Sequence, residues 1–203
     1  MNDLDKHALY ELDILEHVEK TSTLSNRVAA RKLGVSIKLA HEILKRMVSK
    51  GLLHVNVVHA RRWDYFLTPK GIREKTRLTL EFFEFSMHFY REARRRSAQL
   101  CRDLAESGRT RVGFLGAGDL AEITYLGVKE WELNLKTVYD DDLAGKAFMG
   151  IDVQPFESLP GTDNTVDAVI VCVYDAKMPM RSRYLPPGVE RLPIMHWIFA
   201  DEE

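Results

Sequence analysis

Periodic hydrophobic positions predict three helices in the first fifty residues. Apolar side chains recur at spacings of three and four over residues 8–19, 26–33 and 36–50. Ser25 and Ser36 stand where the second and third helices begin, and serine is a favourable N-cap. The third helix turns its apolar stripe toward a core, which leaves a polar and basic face for another role.

Two short apolar segments after the third helix predict a β-hairpin. Residues 52–58 and 63–67 are rich in Val, Leu and aromatic residues, and the basic sequence His59-Ala60-Arg61-Arg62 separates them. Three helices followed by a hairpin are the order of an α+β winged helix-turn-helix, whose third helix enters the DNA major groove. Residues 1–70 are therefore predicted to be a DNA-binding domain.

Charge is divided unequally along the chain. Residues 1–110 carry 21 Lys and Arg against 14 Asp and Glu, whereas residues 111–203 carry 8 against 16. A basic domain favours double-stranded DNA as a partner, although a solvated basic face is the alternative. The predicted contacts lie on the outward face of the third helix and at the hairpin tip: Ser36, Lys38, Leu39, His41, Glu42, Lys45, Arg46, Arg61 and Arg62.

The next segment predicts one long connecting helix over residues 71–108. It contains no proline and no interior glycine before Gly108. Its apolar positions exceed one narrow stripe, and Leu80, Phe83 and Tyr90 share a face at helical spacing. Such a helix needs more than one neighbour, so a homodimer is expected. Packing within a single chain is the alternative.

The last part of the chain begins with a phosphate-binding pattern. A short apolar strand precedes Gly116 and Gly118, and a helical pattern follows them. This strand, GxGxxA and helix order is that of a dinucleotide fingerprint, in which backbone N–H groups receive phosphate. Asp140 follows a second strand and lies 22 residues past Gly118, near the position of an acidic ribose ligand. The predicted nucleotide ligands are Gly116, Ala117, Gly118, Asp119, Leu120, Asp140 and Asp141.

Further apolar segments predict the rest of a small sheet. Strands are expected at residues 151–153, 166–174 and 192–199, with a turn at 155–159. Residues 109–203 are therefore predicted to be an α/β domain with a Rossmann-like small parallel sheet. Its ligand is a nucleotide, with NAD(H) and a nucleotide-sugar as candidates.

The first half of the chain resembles a known family of regulators. The sequences GVSIKLAHEILKRMVSKGLL and YFLTPKGIREKTRLTLEFF are similar to MarR-type winged-helix regulators, closest to the branch associated with exopolysaccharide gene clusters. The resemblance covers about residues 8–107. It implies a dimeric DNA-binding protein that places its third helix and hairpin on an operator.

The second half resembles nucleotide-binding domains. The sequences VGFLGAGDLAEI and KTVYDDDLAGKAFMGIDVQPFESL are similar to nucleoside-diphosphate-sugar epimerases or dehydratases and to the N-terminal domains of sugar acyltransferases. The resemblance implies a bound dinucleotide or sugar nucleotide. A winged helix joined to a Rossmann domain is also the architecture of redox-sensing repressors of the Rex family.

The sequence does not predict a catalytic site. Tyr125 and Lys129 form a YxxxK pair, but they lie too close to the glycine pattern to match short-chain dehydrogenases. Cys172 and His196 fall within predicted strands, where packing is the expected role. We expect a cytoplasmic regulator that is not an enzyme and has no metal site. A small NAD- or sugar-nucleotide-dependent enzyme and a ligand-free interaction module remain alternatives.

Overall fold

The computed structural model divides the chain into two compact units. It describes residues 6–21, 24–59, 62–159, 165–174 and 184–199, with the side chains of 6, 57–59 and 62 left out. The first unit is Met1–Ser86 and the second is Met87–Glu203. The division falls within the long helix that the sequence predicts.

Three helices and a hairpin make up the first unit. The helices are α1 (Lys6–Lys20), α2 (Asn26–Leu33) and α3 (Ile37–Ser49), and the antiparallel strands are β1 (Leu53–His59) and β2 (Arg62–Leu67). This is the winged helix-turn-helix that the sequence predicts. Its core includes large, fully buried side chains of α1, α3 and β1, of the segment before α2, and of the long helix that follows the hairpin: Ile14, Leu15, Leu24, Ile43, Leu44, Met47, Leu53 and Leu78.

The turn between α2 and α3 is fixed by local sequence. Ser25 Oγ accepts the N–H of Val28 at 3.2 Å, and Ser36 Oγ accepts that of Leu39 at the same distance. Gly34 ends α2 with φ of 61°, a left-handed conformation that glycine adopts at low cost. These contacts satisfy backbone groups that a helix end leaves unpaired, so they stabilise the turn locally.

A 38-residue helix, α4 (Pro69–Glu106), begins two residues earlier than the sequence predicts. Thr68 Oγ1 accepts the N–H of Gly71 at 2.9 Å and donates to the carbonyl of Gly51 at 2.6 Å. Thr68 is therefore the N-cap, and Pro69 opens the first helical turn, where proline is favourable. An added Cβ at Gly71 would lie 2.1 Å from the carbonyl oxygen of Leu52, so only glycine fits there.

The second unit is an α/β domain with a six-stranded sheet of order β5-β6-β4-β3-β7-β8. Neighbouring strands are parallel except β5 and β6. In chain order its elements are β3 (Arg111–Leu115), α5 (Asp119–Glu130), β4 (Asn134–Tyr139), β5 (Ala147–Phe148), β6 (Ile151–Gln154), a 3₁₀ turn (Phe156–Ser158), β7 (Ala168–Val171) and β8 (Met195–Trp197).

The strands after β4 differ from their predicted extents. The strand expected at 166–174 is paired only over four residues, and the one expected at 192–199 only over three. β8 has a single neighbour, β7, so its pairing ends where β7 ends, while Ile198 and Phe199 are buried without strand pairing. The short strand β5 is missing from the prediction because its hairpin turns at Met149 and Gly150, which have positive φ but do not form a typical turn sequence.

The central strands β3 and β7 of the sheet in the second unit are buried on both faces. Along β7, Ala168 and Ile170 belong to one core cluster, and Val169 and Val171 belong to another. An uninterrupted apolar strand is typical of parallel sheets covered on both sides. Helix α5 approaches the second half of α4 closely, because an added Cβ at Gly127 would lie 3.1 Å from Cys101 Sγ.

A polar contact joins the edge strand β8 to the segment that precedes β3. Arg109 Nη1 donates to His196 Nε2 at 3.0 Å. Burial, and then the charge of Arg109, lower the pKa of His196. The neutral imidazole is therefore the form that the folded protein favours.

Substituting Gly71 by alanine should lower the free energy of unfolding by about 3 kcal/mol, because the new methyl group has no space beside the Leu52 carbonyl. Urea denaturation of the full chain measures the change. The control is Ile72→Ala on the same helix, where the wild-type side chain is 50% exposed. Equal urea midpoints for the two variants would mean that this close approach does not constrain the fold.

Stability should fall as the pH decreases from 7.5 to 5.5. The unfolded state takes up a proton at His196 near its ordinary pKa of about 6.5, whereas the folded state resists protonation until a lower pH. The Tm of the wild type should therefore decrease over this range by more than that of His196→Gln, which keeps a hydrogen-bond acceptor but does not titrate. Parallel Tm profiles would contradict this role of His196.

Candidate functional site

The exposed face of α3 carries most of the side chains that the sequence assigns to DNA. Lys38, His41, Glu42 and Lys45 are all exposed, at spacings of three and four residues. They lie opposite a buried stripe made of Ala40, Ile43, Leu44 and Met47. Among the described residues, no ion pair involves Lys38 or Lys45. These two ammonium groups are therefore available to an anionic partner.

His41 differs from its neighbours because a second helix holds it. Asn26 Nδ2 lies 3.2 Å from His41 Nδ1, and Asn26 is the first residue of α2. The contact joins the start of one helix to the exposed face of the other. The imidazole is thus oriented before any ligand arrives.

Three of the predicted DNA contacts have roles in the fold. Ser36 caps α3, and Leu39 packs against the core of the first unit. Arg46 Nη2 lies 3.2 Å from His7 Nδ1, and its Nε lies 3.8 Å from Glu11 Oε1. Glu11 is buried in α1 and also accepts from Lys50 Nζ at 2.6 Å. Contact of these residues with DNA stays a prediction, but it would compete with their packing.

The hairpin tip lies at the limit of what the structure describes. Arg61 is outside the described residues, and Arg62 begins β2 with an undescribed side chain. Their proposed contact with DNA stays a prediction. Close by, Trp63 is 40% exposed and borders a groove of about 430 Å³ between α3 and the hairpin.

Sequence analysis overlooked two arginines on α2. Arg27 and Arg31 are both exposed and lie one turn apart. They face away from buried Ala29, Ala30 and Leu33. In the sequence these two basic residues are four positions apart and lie opposite the apolar stripe of α2, and this spacing could have identified them. They extend the basic surface of the first unit from α3 to α2.

The glycine turn after β3 has the geometry that the sequence predicts. Gly116 has φ of 101°, and an added Cβ there would lie 2.7 Å from Val173 Cγ1. Gly118 is the N-cap of α5 and makes no side-chain cap. An added Cβ at Gly118 would meet no atom within 4 Å. The first glycine is thus needed by the fold, whereas the second borders open space at a helix N-terminus.

The predicted acidic ligands are bound to backbone N–H groups. Asp140 Oδ2 accepts from Ala117 at 2.9 Å, and its Oδ1 accepts from Asp142 at 3.0 Å. Asp141 Oδ1 accepts from Phe156 at 2.8 Å. A carboxylate has about four acceptor positions, so each can still receive a ribose hydroxyl. Asp140 also holds the glycine turn against the end of β4.

A cavity of about 310 Å³ lies where the glycine turn meets the carboxyl ends of the strands. Four of the predicted nucleotide ligands line this cavity: Gly116, Gly118, Asp140 and Asp141. The other three, Ala117, Asp119 and Leu120, do not line it. Ala117 and Leu120 are buried, and Asp119 is exposed in the first turn of α5. The lining residues that sequence analysis did not assign to the site are Asp142, Phe156, Cys172, Val173, Tyr174, Tyr184 and Pro186. None of the described residues that line the cavity is basic.

The two cysteines are poor nucleophiles. Burial raises the pKa of Cys101 to about 12, and burial also raises the pKa of Cys172. A thiol of this kind carries little reactive thiolate near neutral pH. Within the described part of the chain, no group of three or more His, Cys, Asp or Glu is placed to hold a metal ion. No described helix is long and apolar enough to cross a membrane.

Comparison with known proteins agrees with the fold of the first unit. Residues 9–53 match the family model of winged helix-turn-helix DNA-binding domains. The N-terminal unit is a winged helix-turn-helix. No curated protein matches the chain.

Several solved structures are similar to parts of the chain. The regulator MepR of Staphylococcus aureus is 20% identical over 41% of this chain and 61% of its own, with a TM-score of 0.36. The regulator PcaV of Streptomyces coelicolor is 22% identical over 38% of this chain and 58% of its own, with a TM-score of 0.35. The matched part of this chain thus spans about three-fifths of the length of these regulators. The exopolysaccharide branch and the nucleotide-sugar type of the second unit stay predictions.

The expectation that the chain is not an enzyme is corrected by a second group of similar solved structures. Human N-acetylserotonin methyltransferase, solved in complex with SAM, is 16% identical over 82% of this chain and 65% of its own. Its TM-score is 0.30. A non-enzymatic role is therefore not retained, while similarity at this level assigns no reaction to the chain.

Proposed function

We propose that this protein is a DNA-binding transcription regulator of the MarR type that acts as a homodimer and binds a nucleoside ligand in its second unit. The observation that carries the proposal is the exposed stripe of Lys38, His41 and Lys45 on α3 of a winged helix-turn-helix. In this fold the third helix lies in the major groove and reaches base edges with its N-terminal residues.

The spacing along α3 suits contact with a duplex. Lys38 and Lys45 are seven residues apart, which is about 10.5 Å along a helix, close to the width of the major groove. Arg27 and Arg31 on α2 add positive charge to the same unit. Lysine and arginine neutralise phosphates and release counterions, which supplies sequence-independent affinity.

A second copy of the chain is the proposed partner of α4. Leu80 and Phe83 are 58% and 60% exposed on this helix, and Phe82 is 45% exposed. Large apolar side chains clustered on one exposed helix mark an interaction surface. Two winged helices presented by a dimer would meet successive major grooves of a symmetric operator.

The second unit is proposed to bind a nucleoside through the glycine turn and the acidic cavity. Asp140, Asp141 and Asp142 supply acceptors for ribose hydroxyls, and the N-terminus of α5 supplies backbone donors. NAD(H) and a nucleotide-sugar are the candidates from the sequence. Because three carboxylates line the cavity, a cationic sulfonium nucleoside such as S-adenosylmethionine (SAM) is a third. The resemblance to the exopolysaccharide branch supports polysaccharide genes as the regulated class.

Replacing Lys38 and Lys45 by alanine should weaken DNA binding at every sequence. Each lost phosphate contact should reduce the slope of log K against log salt by about 0.9. Fluorescence anisotropy with a labelled genomic duplex pool at several salt concentrations measures both quantities. The double variant Lys136→Ala/Lys146→Ala, which removes two exposed lysines of the second unit, is the charge-matched control. A slope equal to that of the control would remove these lysines from the interface.

Replacing Gly118 by valine should abolish ligand binding without unfolding the protein, because the new side chain meets open space at the cavity. Thermal shift with NAD⁺, NADH, UDP-glucose and SAM provides the test. A ligand present at about a hundred times its Kd stabilises the wild type by about 2.7 kcal/mol, a shift of several degrees. Only the wild type should respond.

The ligand experiment has two informative failures. If Gly118→Val responds to the same nucleoside as the wild type, the glycine turn is not the binding site. If no compound shifts the wild type, nucleoside binding by this unit is contradicted. Gly116→Ala is unsuitable as a variant, because its Cβ would lie 2.7 Å from Val173 and would disturb the fold.

A further inference from the structure

His41 is the one side chain of the exposed α3 stripe that a neighbouring helix orients, among the described residues. Asn26 Nδ2 lies 3.2 Å from His41 Nδ1, across fifteen positions of sequence. Asn26 is half-buried at the start of α2, directly after the N-cap Ser25. The amide therefore approaches the imidazole from a fixed point of the scaffold.

This contact determines which ring nitrogen carries the proton. In a neutral imidazole one nitrogen donates and the other accepts. Because an amide nitrogen donates and does not accept, the contact of Asn26 Nδ2 with Nδ1 favours the neutral tautomer in which Nδ1 accepts and Nε2 carries the proton. The far nitrogen of this exposed ring is thus a hydrogen-bond donor, and the direction of its N–H is set by Asn26.

We propose that His41 is a specificity-determining residue that reads guanine in the major groove, and that Asn26 is its positioning residue. Guanine presents two adjacent acceptors there, N7 and O6, whereas adenine has its N6 donor beside N7, thymine has its methyl group beside O4, and cytosine presents the N4 donor. A fixed N–H donor is therefore matched best by guanine and worst by cytosine. The inference rests on the proposed DNA binding, because it names what that interface recognises.

The position of His41 on α3 supports this role over a phosphate contact. It is the fifth residue of the helix, between Lys38 and Lys45 on the same stripe. Sequence-independent affinity depends on the positive charge brought to phosphates, and the flanking Lys38 and Lys45 supply that charge. The contribution of His41 is a hydrogen bond of fixed direction, and recognition of a base edge requires such a hydrogen bond.

The test is a selection of binding sites from a duplex library with a random core, carried out with the full-length protein. The wild type should select a site with guanine at one position of each half-site. His41→Ala should lose the preference at that position alone, and Asn26→Ala should weaken it. Lys45→Ala is the matched control on the same stripe. It should bind every sequence less tightly and keep every base preference.

A conservative variant separates base reading from structural support. His41→Gln should change the preferred base from guanine to adenine, because a glutamine amide pairs with N6 and N7 of adenine. Anisotropy on the selected duplex and its single-base variants should show discrimination of about tenfold for the wild type. His41→Ala should discriminate by less than twofold at that position, with circular dichroism showing that it is folded.

The outcomes distinguish this inference from the proposed function. If the wild type selects no sequence, the proposed regulator function fails. If the wild type selects a site and His41→Ala retains every preference, DNA binding stands and the reading of guanine by His41 is overturned. If Asn26→Ala keeps full discrimination, His41 acts without Asn26 as its positioning residue.

Discussion

The helical period of α3 is the constraint on which the candidate interface depends. Ala40, Ile43, Leu44 and Met47 are buried because they form one stripe of a 3.6-residue repeat. The same repeat places Lys38 and Lys45 on the opposite side, in solvent. Core packing and surface charge are therefore not independent features. A change of register by one residue would rotate the helix by about 100° and bring either His41 and Lys45 or Glu42 and Arg46 to buried positions.

Charge in the first unit is divided between the fold and the surface. The buried carboxylate of Glu11 needs positive partners, because an unpaired buried charge is costly. Lys50 and Arg46 supply them, so these two basic groups serve the packing of α1 on α3. In the part of the chain that the structure describes, Lys38 and Lys45 have no such partner and are exposed to solvent. A count of basic residues therefore overstates the charge that is available to DNA.

Local signals made most of the first unit predictable. Serine caps and apolar stripes each act over a few residues, so sequence alone locates α1, α2 and α3. The roles of Arg46 and Leu39 were not predictable in this way. Their partners lie on other elements, and helical spacing does not reveal which exposed position another helix will contact.

In the second unit, contacts between distant segments were even less predictable from local sequence patterns. The turn at Gly116 and the acid at Asp140 are visible as a spacing, because both belong to one strand–turn–helix–strand segment. Tyr174 and Tyr184 reach the cavity from a distant part of the chain, and no local pattern predicts them. The edge strand β8 was overestimated because apolar residues beside it are buried without strand pairing.

The two candidate sites share one structural feature. In each, a polar side chain is held in place by a hydrogen bond from a separate element: His41 by the Asn26 amide, and Asp140 by the Ala117 N–H. A side chain held in this way loses less conformational freedom when it binds, so more of its interaction energy appears as affinity or selectivity. Such support separates a recognition group from an ordinary exposed polar residue. It is visible only when both elements are in place, which is why the spacing of residues along the chain does not reveal it.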